Sequence, residues 1–148
     1  MDRRGGFTLL ELVIALLIGS ILTSIAMASY GNARGAFAVR GARNTFAALH
    51  ARARAQAIEA GTMMRLFVDM SGDSAFIWDG ANNLETIDFR DELNVDLRSS
   101  VGSLRICMNA RGFADADCNN FSSDVTLQFR HNADTASMRV MPLGQLVY

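Results

Sequence analysis

The chain contains no lysine: all 14 of its basic residues are arginine, in a sequence of 148 residues with a formal net charge of −1. That absence fits a GC-rich genome better than a chemical requirement. Histidine is scarce too. His50 lies in an arginine-rich stretch and His131 follows a strand pattern in "RHNAD", so each reads as a surface residue and not as a catalytic base. The cysteines number two, Cys107 and Cys118. With two distant histidines they make no zinc-binding pattern. Neither a D-x-D-x-D-G calcium loop nor a phosphate-cradling glycine loop is present. Asp115 and Asp117 share a loop, where closely spaced aspartates are ordinarily just solvated. Catalysis therefore has no constellation to rest on: the chain is read as no enzyme, with no metal and no cofactor.

What is abundant is apolar sequence at one end. From Phe7 to about Ala28 the only formal charge is Glu11. About twenty such residues, rising 1.5 Å each, span the roughly 30 Å hydrocarbon core of a bilayer. A buried core helix of that length would need a larger domain around it than this chain can supply. Arg3 and Arg4 just before the run place the N-terminus in the cytoplasm and the rest of the chain outside. The small pair Gly5-Gly6 lies ahead of the run, where a cut would leave the helix on the mature protein; Ala26-Met27-Ala28 is a second, weaker site behind it. A carboxylate in lipid costs roughly 2.5–3.5 kcal/mol on insertion scales and is usually paired or functional. Glu11 is therefore either solvated near the cytoplasmic interface or neutralised by a cation, such as the new amine of Phe7 on a neighbouring copy.

Residues 30–60 continue as a helix. Ala38, Ala42, Phe46 or Thr45, Leu49, Ala53 and Ala57 recur every three or four positions, and Arg40, Arg43, Arg52, Arg54 and Glu59 fall mainly off that stripe. Gly31, Gly35 and Gly41 weaken its first half by about 1 kcal/mol each relative to alanine. Gly61 supplies the stop. The arginines of this helix, with Arg34, can serve phosphates, a neighbour's acids or plain solvent.

Beyond Gly61 the period falls to two. "RLFVDM" at 65–70, "LRICM" at 104–108, "DVTLQFR" at 124–130 and "SMRVM" at 137–141 read as strands, separated by turn signals such as Ser71-Gly72-Asp73 and Asp79-Gly80. Val125, Leu127 and Phe129 face one way, Thr126, Gln128 and Arg130 the other, the mark of half-buried antiparallel strands. The expected fold class is α+β: a long N-terminal helix, its first half transmembrane and its second half amphipathic, packed on a small antiparallel β domain. The expected division is a leader at 1–6, a membrane helix at 7–29, an amphipathic helix at 30–60 and a β domain at 61–148. Cys107 and Cys118 bracket the turn-rich "MNARGFADAD". They either close a disulfide worth about 2–4 kcal/mol in an oxidising compartment or remain two buried thiols.

The stretch Arg3-Arg4-Gly5-Gly6-Phe7-Thr8-Leu9-Leu10-Glu11-Leu12 resembles the class III signal of type IV pilins and type II secretion pseudopilins. It has the basic leader, the glycine before the cut, the phenylalanine after it, and glutamate at the fifth position of the processed chain. The resemblance implies that prepilin peptidase cuts after Gly6, that Phe7 becomes the N-methylated terminus, and that Glu11 is the assembly carboxylate. It further implies a subunit held first in the bacterial inner membrane, N-terminus cytoplasmic and C-terminal domain periplasmic. From there it would join other pilin or pseudopilin subunits through the N-terminal helix in a filament. Many major pilins carry a proline midway along this helix, and this segment has none. "NTFAALHARARAQAIEAGTMMRLFV" at 44–68 and the late Arg111-Gly112-Phe113 are similar to the GspH/FimT group of minor pilins and pseudopilins. Membership would imply a role in a type II secretion pseudopilus, hence protein export, or in a type IV pilus. Some relatives in the FimT group bind DNA for uptake through arginines near the C-terminus. The candidates here are Arg130 and Arg139, and no arginine follows Gly144.

Overall fold

The structure, a computed structural model, describes residues 8–148, with only the backbone described at 28–32. It divides into two compact units at Arg34 and Gly35.

Helix α1 runs Leu9–Ala60, 52 residues, through both units. Thr8 opens it. Its hydroxyl accepts the Glu11 N–H at 3.2 Å and its carbonyl accepts the Leu12 N–H at 3.2 Å, which satisfies donors that a helix start leaves orphaned. In the apolar first half, the hydroxyls of Ser20, Thr23 and Ser24 return hydrogen bonds to the carbonyls of Leu17, Gly19 and Ser20 at 2.8, 2.8 and 2.9 Å. No hydroxyl of that trio is left seeking water. The end is set by Gly61, whose φ of 63° lies in the left-handed region that glycine enters without strain.

In the second unit, α1 buries Val39, Ala42, Phe46, Leu49, Ala53 and Ala57. Phe46, not Thr45, carries the stripe: its ring is fully buried while Thr45 is half-exposed. Against this stripe the chain builds two four-stranded antiparallel sheets. The first, in the order β3 (Asn83–Asp88), β2 (Ser74–Trp78), β1 (Met64–Asp69), β5 (Leu104–Met108), pairs Leu66 with Ile77 and with Ile106 across its centre. The second follows the order β4 (Asp96–Ser99), β6 (Val125–His131), β7 (Asp134–Val140), β8 (Leu146–Val147). A short helix, α2 (Phe89–Leu93), links them. Asp88 caps α2 by accepting the Asp91 N–H at 2.9 Å, and Asn94 ends it in the left-handed conformation.

All three parts share one core. Phe129 of β6 lies 6.0 Å from the Phe46 ring and 5.9 Å from the Phe89 ring, joining the long helix, the second sheet and α2. The four strand patterns read from sequence correspond to β1, β5, β6 and β7. The unforeseen elements are β2, β3, α2, β4 and β8. β2 is apolar on both faces and so shows no alternation, β3 is a mostly polar edge strand, and β8 is only two residues long.

Candidate functional site

Gly6 and Phe7, the cleavage point and new terminus that the resemblance implies, lie outside the described residues, as do Arg3 and Arg4. Glu11 is described. It sits exposed in the first turn of α1, where the positive end of the helix dipole favours a carboxylate. Among the described residues it has no ion-pair partner. Behind it, Leu9–Met27 is long and apolar enough to cross a membrane, with a mean hydropathy of 2.4 and none of the segment buried within the chain. Ala15, Gly19 and Thr23 recur every fourth residue along one face. A Cβ added at Gly19 would meet nothing within 4 Å, so that face is open to a close-packed helix. The chain's own fold thus leaves an apolar helix uncovered, with one carboxylate near its start. Such a surface is stable only in lipid or among other apolar helices.

Cys107 and Cys118 are bonded, with Cα atoms 5.8 Å apart. The loop they close is also held by side-chain amides. Asn119 accepts the Cys107 N–H at 2.9 Å and donates to the Pro142 carbonyl at 2.9 Å, while Asn120 accepts the Arg105 N–H at 2.8 Å. Asp115 turns into the same loop, accepting the Asp117 N–H at 3.1 Å. Asp117 stays exposed.

The arginines are partly occupied within the domain. Arg52 forms a two-pronged pair with Glu85 at 2.9 and 2.6 Å. Arg43 lies over the Tyr148 ring at 5.0 Å and Arg54 over the Phe113 ring at 5.8 Å. Arg130 and Arg139 both stand on the outward face of the second sheet but are not adjacent: Arg139 is in register with Thr126, four residues from Arg130 along β6. Each faces an acid. Arg139 pairs with Asp124 at 3.7 Å, and Asp96 is the cross-strand partner of Arg130.

His50 corrects the sequence reading. It is a buried residue, 5% exposed, and not a surface one. The reason is helical spacing: position 50 lies four beyond Phe46 and three before Ala53, on the flank of the buried stripe. Burial pushes its pKa down to about 4, the Arg54 charge pushes in the same direction, and the Gly144 backbone opposes them. His131 is half-exposed, with Nδ1 2.6 Å from the Asn94 carbonyl oxygen. Among the described residues no group of three His, Cys, Asp or Glu side chains is placed to hold a metal ion. One turn residue proves central. Asp73 is buried and binds three segments at once, though its only local signal is the Ser71-Gly72-Asp73 turn.

Comparison with known proteins bears on the N-terminus and the fold separately. The family profile of the prokaryotic N-terminal methylation motif matches residues 1–27. Among solved structures, the chain is similar to the type IV minor pilin FimU of Pseudomonas aeruginosa (strain PAO1). In its P21 crystal form the likeness has a TM-score of 0.56 at 12% identity, over 73% of this chain and 85% of that one. In the P65 form the TM-score is 0.54 at 13% identity, over 72% and 89%. No curated protein matches the chain significantly.

Proposed function

We propose that this type IV pilin-like chain, with a methylation motif at its N-terminus and the fold of a minor pilin, is a minor subunit of a type II secretion pseudopilus or type IV pilus, supporting assembly. The observation that carries this reading is the uncovered apolar segment Leu9–Met27 with Glu11 at its start, lying within the matched methylation motif at residues 1–27. The leader arginines hold the N-terminus inside, and the helix parks the subunit in the inner membrane with its C-terminal domain in the periplasm. Prepilin peptidase removes residues 1–6, and Phe7 becomes the methylated terminus. Glu11 then meets the Phe7 amine of a neighbouring subunit, which lowers the cost of its charge inside the helix bundle. The face of Ala15, Gly19 and Thr23 lets that neighbour approach closely. The alternative, capture of DNA through Arg130 and Arg139, draws no support from two arginines that are separated on their sheet, one of them already paired with Asp124.

Processing and filament entry test the reading in the cell of origin. Gly6→Leu should abolish maturation. Glu11→Ala should leave maturation largely intact but remove the subunit from sheared filaments; normal entry of that variant refutes the pairing role. Photo-cross-linking from exposed Ala51 identifies the machine. Capture of secretion subunits indicates a pseudopilus, and capture of a major pilin indicates a pilus.

A further inference from the structure

The outer face of the first sheet breaks a rule that the second sheet obeys. An antiparallel sheet with one face on a core carries polar residues on the other. In the second sheet, Thr126, Gln128, Thr135 and Ser137 all point outward, opposite the buried Leu127 and Met138. In the first sheet, β2 is apolar in both phases, and β1 sets Phe67 between Arg65 and Asp69 on its outer phase. Leu66, Val68, Ala75 and Ile77 fill the core, while Phe67, Phe76 and Trp78 lie on the opposite face, half-buried and outside the core cluster. Phe67 and Phe76 are direct cross-strand partners whose rings stack with centroids 5.1 Å apart. Trp78 follows along the same face, opposite Arg65, and Arg105 flanks Phe67 on the other side. Strands that are apolar on both sides normally have both sides covered.

The charges around this strip are one-sided in what they offer a partner. Arg65 has no ion-pair partner among the described residues. Arg105 uses Nε on the Cys118 carbonyl at 3.0 Å and likewise pairs with no carboxylate. The acids at one end of the same face are already engaged. Asp69 accepts the Ser71 N–H and hydroxyl at 2.9 and 2.7 Å, and Asp88 caps α2. An apolar strip bordered on one side by two unneutralised guanidinium groups is the composition of an interface centre, where aromatics and arginine concentrate.

We infer that this face docks a neighbouring filament subunit of a different kind, one that offers an apolar side chain framed by carboxylates. The inference rests on reading the chain as a filament subunit. A second copy meeting this face with its own would set Arg65 and Arg105 against their counterparts, which like charges disfavour. A nucleic-acid strand laid along the strip would run its phosphates past Asp69 and Asp88 at one end and Asp79 at the other.

The test places photoreactive p-benzoylphenylalanine at Phe76 of the full-length chain in its own host cells, with Gln128 as the comparison position. Mass spectrometry then identifies the partner and the linked peptide. The expected result is an adduct from position 76 alone, to another protein bearing the N-terminal methylation motif, at a peptide containing Asp or Glu. Arg65→Glu with Arg105→Glu should lower its yield by about tenfold, and reversing the partner's acids should restore it. The inference is overturned by an equal adduct from position 128, by an adduct to a second copy, to nucleic acid or to a protein without the motif, or by indifference to charge reversal. Filament entry is scored separately by shearing and sedimentation. Entry with no adduct at position 76 defeats the docking face and leaves the filament reading standing; a motif-bearing adduct without entry does the reverse.

Discussion

Asp73 accepts the Leu97 N–H through Oδ1 at 2.6 Å, a bond between two residues each 1% exposed that ties the turn after β1 to the first strand of the other sheet. The same residue accepts the Phe89 N–H on its carbonyl at 2.8 Å and forms an ion pair with Arg90, which also reaches Asp96 at 3.2 Å. Both sheets and α2 therefore converge on one side chain. Removing it leaves the buried Leu97 N–H without its acceptor and Arg90 with Asp96 alone. Asp73→Ala should cost about 3 kcal/mol, and Asp73→Asn, which keeps an acceptor, about half that. Urea unfolding of the full chain in detergent, followed by the single tryptophan, Trp78, measures both. Equal midpoints for Asp73→Ala and the parent would remove Asp73 from this role.

His50 makes stability depend on pH. Its ordinary pKa is 6.5, and in the folded chain burial and then Arg54 lower it to about 4. The unfolded chain thus binds a proton in a range where the folded one does not, so stability falls as pH drops. It is complete above about 6.5 and is lost progressively down to about 4. For a side chain this buried, that gap corresponds to roughly 3 kcal/mol. Unfolding curves at pH 7 and pH 4.5 should show most of this loss in the parent chain and little of it in His50→Gln. An unchanged slope in the variant would mean that another group titrates.

The parts legible in the sequence were those written in local spacing. The methylation signal is a contiguous string, the helix shows itself by its stripe, and β6 shows itself by Val125, Leu127 and Phe129. The arginine neighbours of His50 suggest solvent, whereas its distance from Phe46 and Ala53 sets it on the buried flank. The role of Asp73 was unreadable, because its partners lie 16 to 24 positions away and meet it only after both sheets form. The outward aromatic strip depends on the register of β1 with β2, which no local period encodes.

Two glycines of α1 should respond to alanine with opposite signs. At Gly41 an added Cβ meets nothing within 4 Å. The gain in helix propensity then stands alone, and Gly41→Ala should stabilise the chain by up to about 1 kcal/mol. At Gly35 the same Cβ collides with the Asp134 carboxylate and lies 3.2 Å from the His131 ring. Gly35→Ala should therefore cost up to about 1 kcal/mol, because the Asp134 side chain must swing away and the His131 ring must give slightly. Paired thermal melts of the two variants check the signs, and a stabilised Gly35→Ala would show that Asp134 moves aside freely.

The Cys107–Cys118 bond closes a loop with a sequence separation of 11, which corresponds to about 3 kcal/mol of restricted unfolded-chain entropy. The asparagine bonds to Cys107, Arg105 and Pro142 survive reduction, because none of them uses a sulfur atom. Reduction should therefore lower the unfolding midpoint without melting the domain at ordinary temperature, and Cys118→Ser should reproduce the effect. Adding Asn119→Ala to that variant should destabilise by a further 1–3 kcal/mol, since the buried Cys107 N–H then has no acceptor. Thiol counting by mass spectrometry on protein taken directly from its host cells checks the premise. Two free thiols there would mean that the asparagines alone hold the loop in the cell, and reduction of the purified chain would then change nothing.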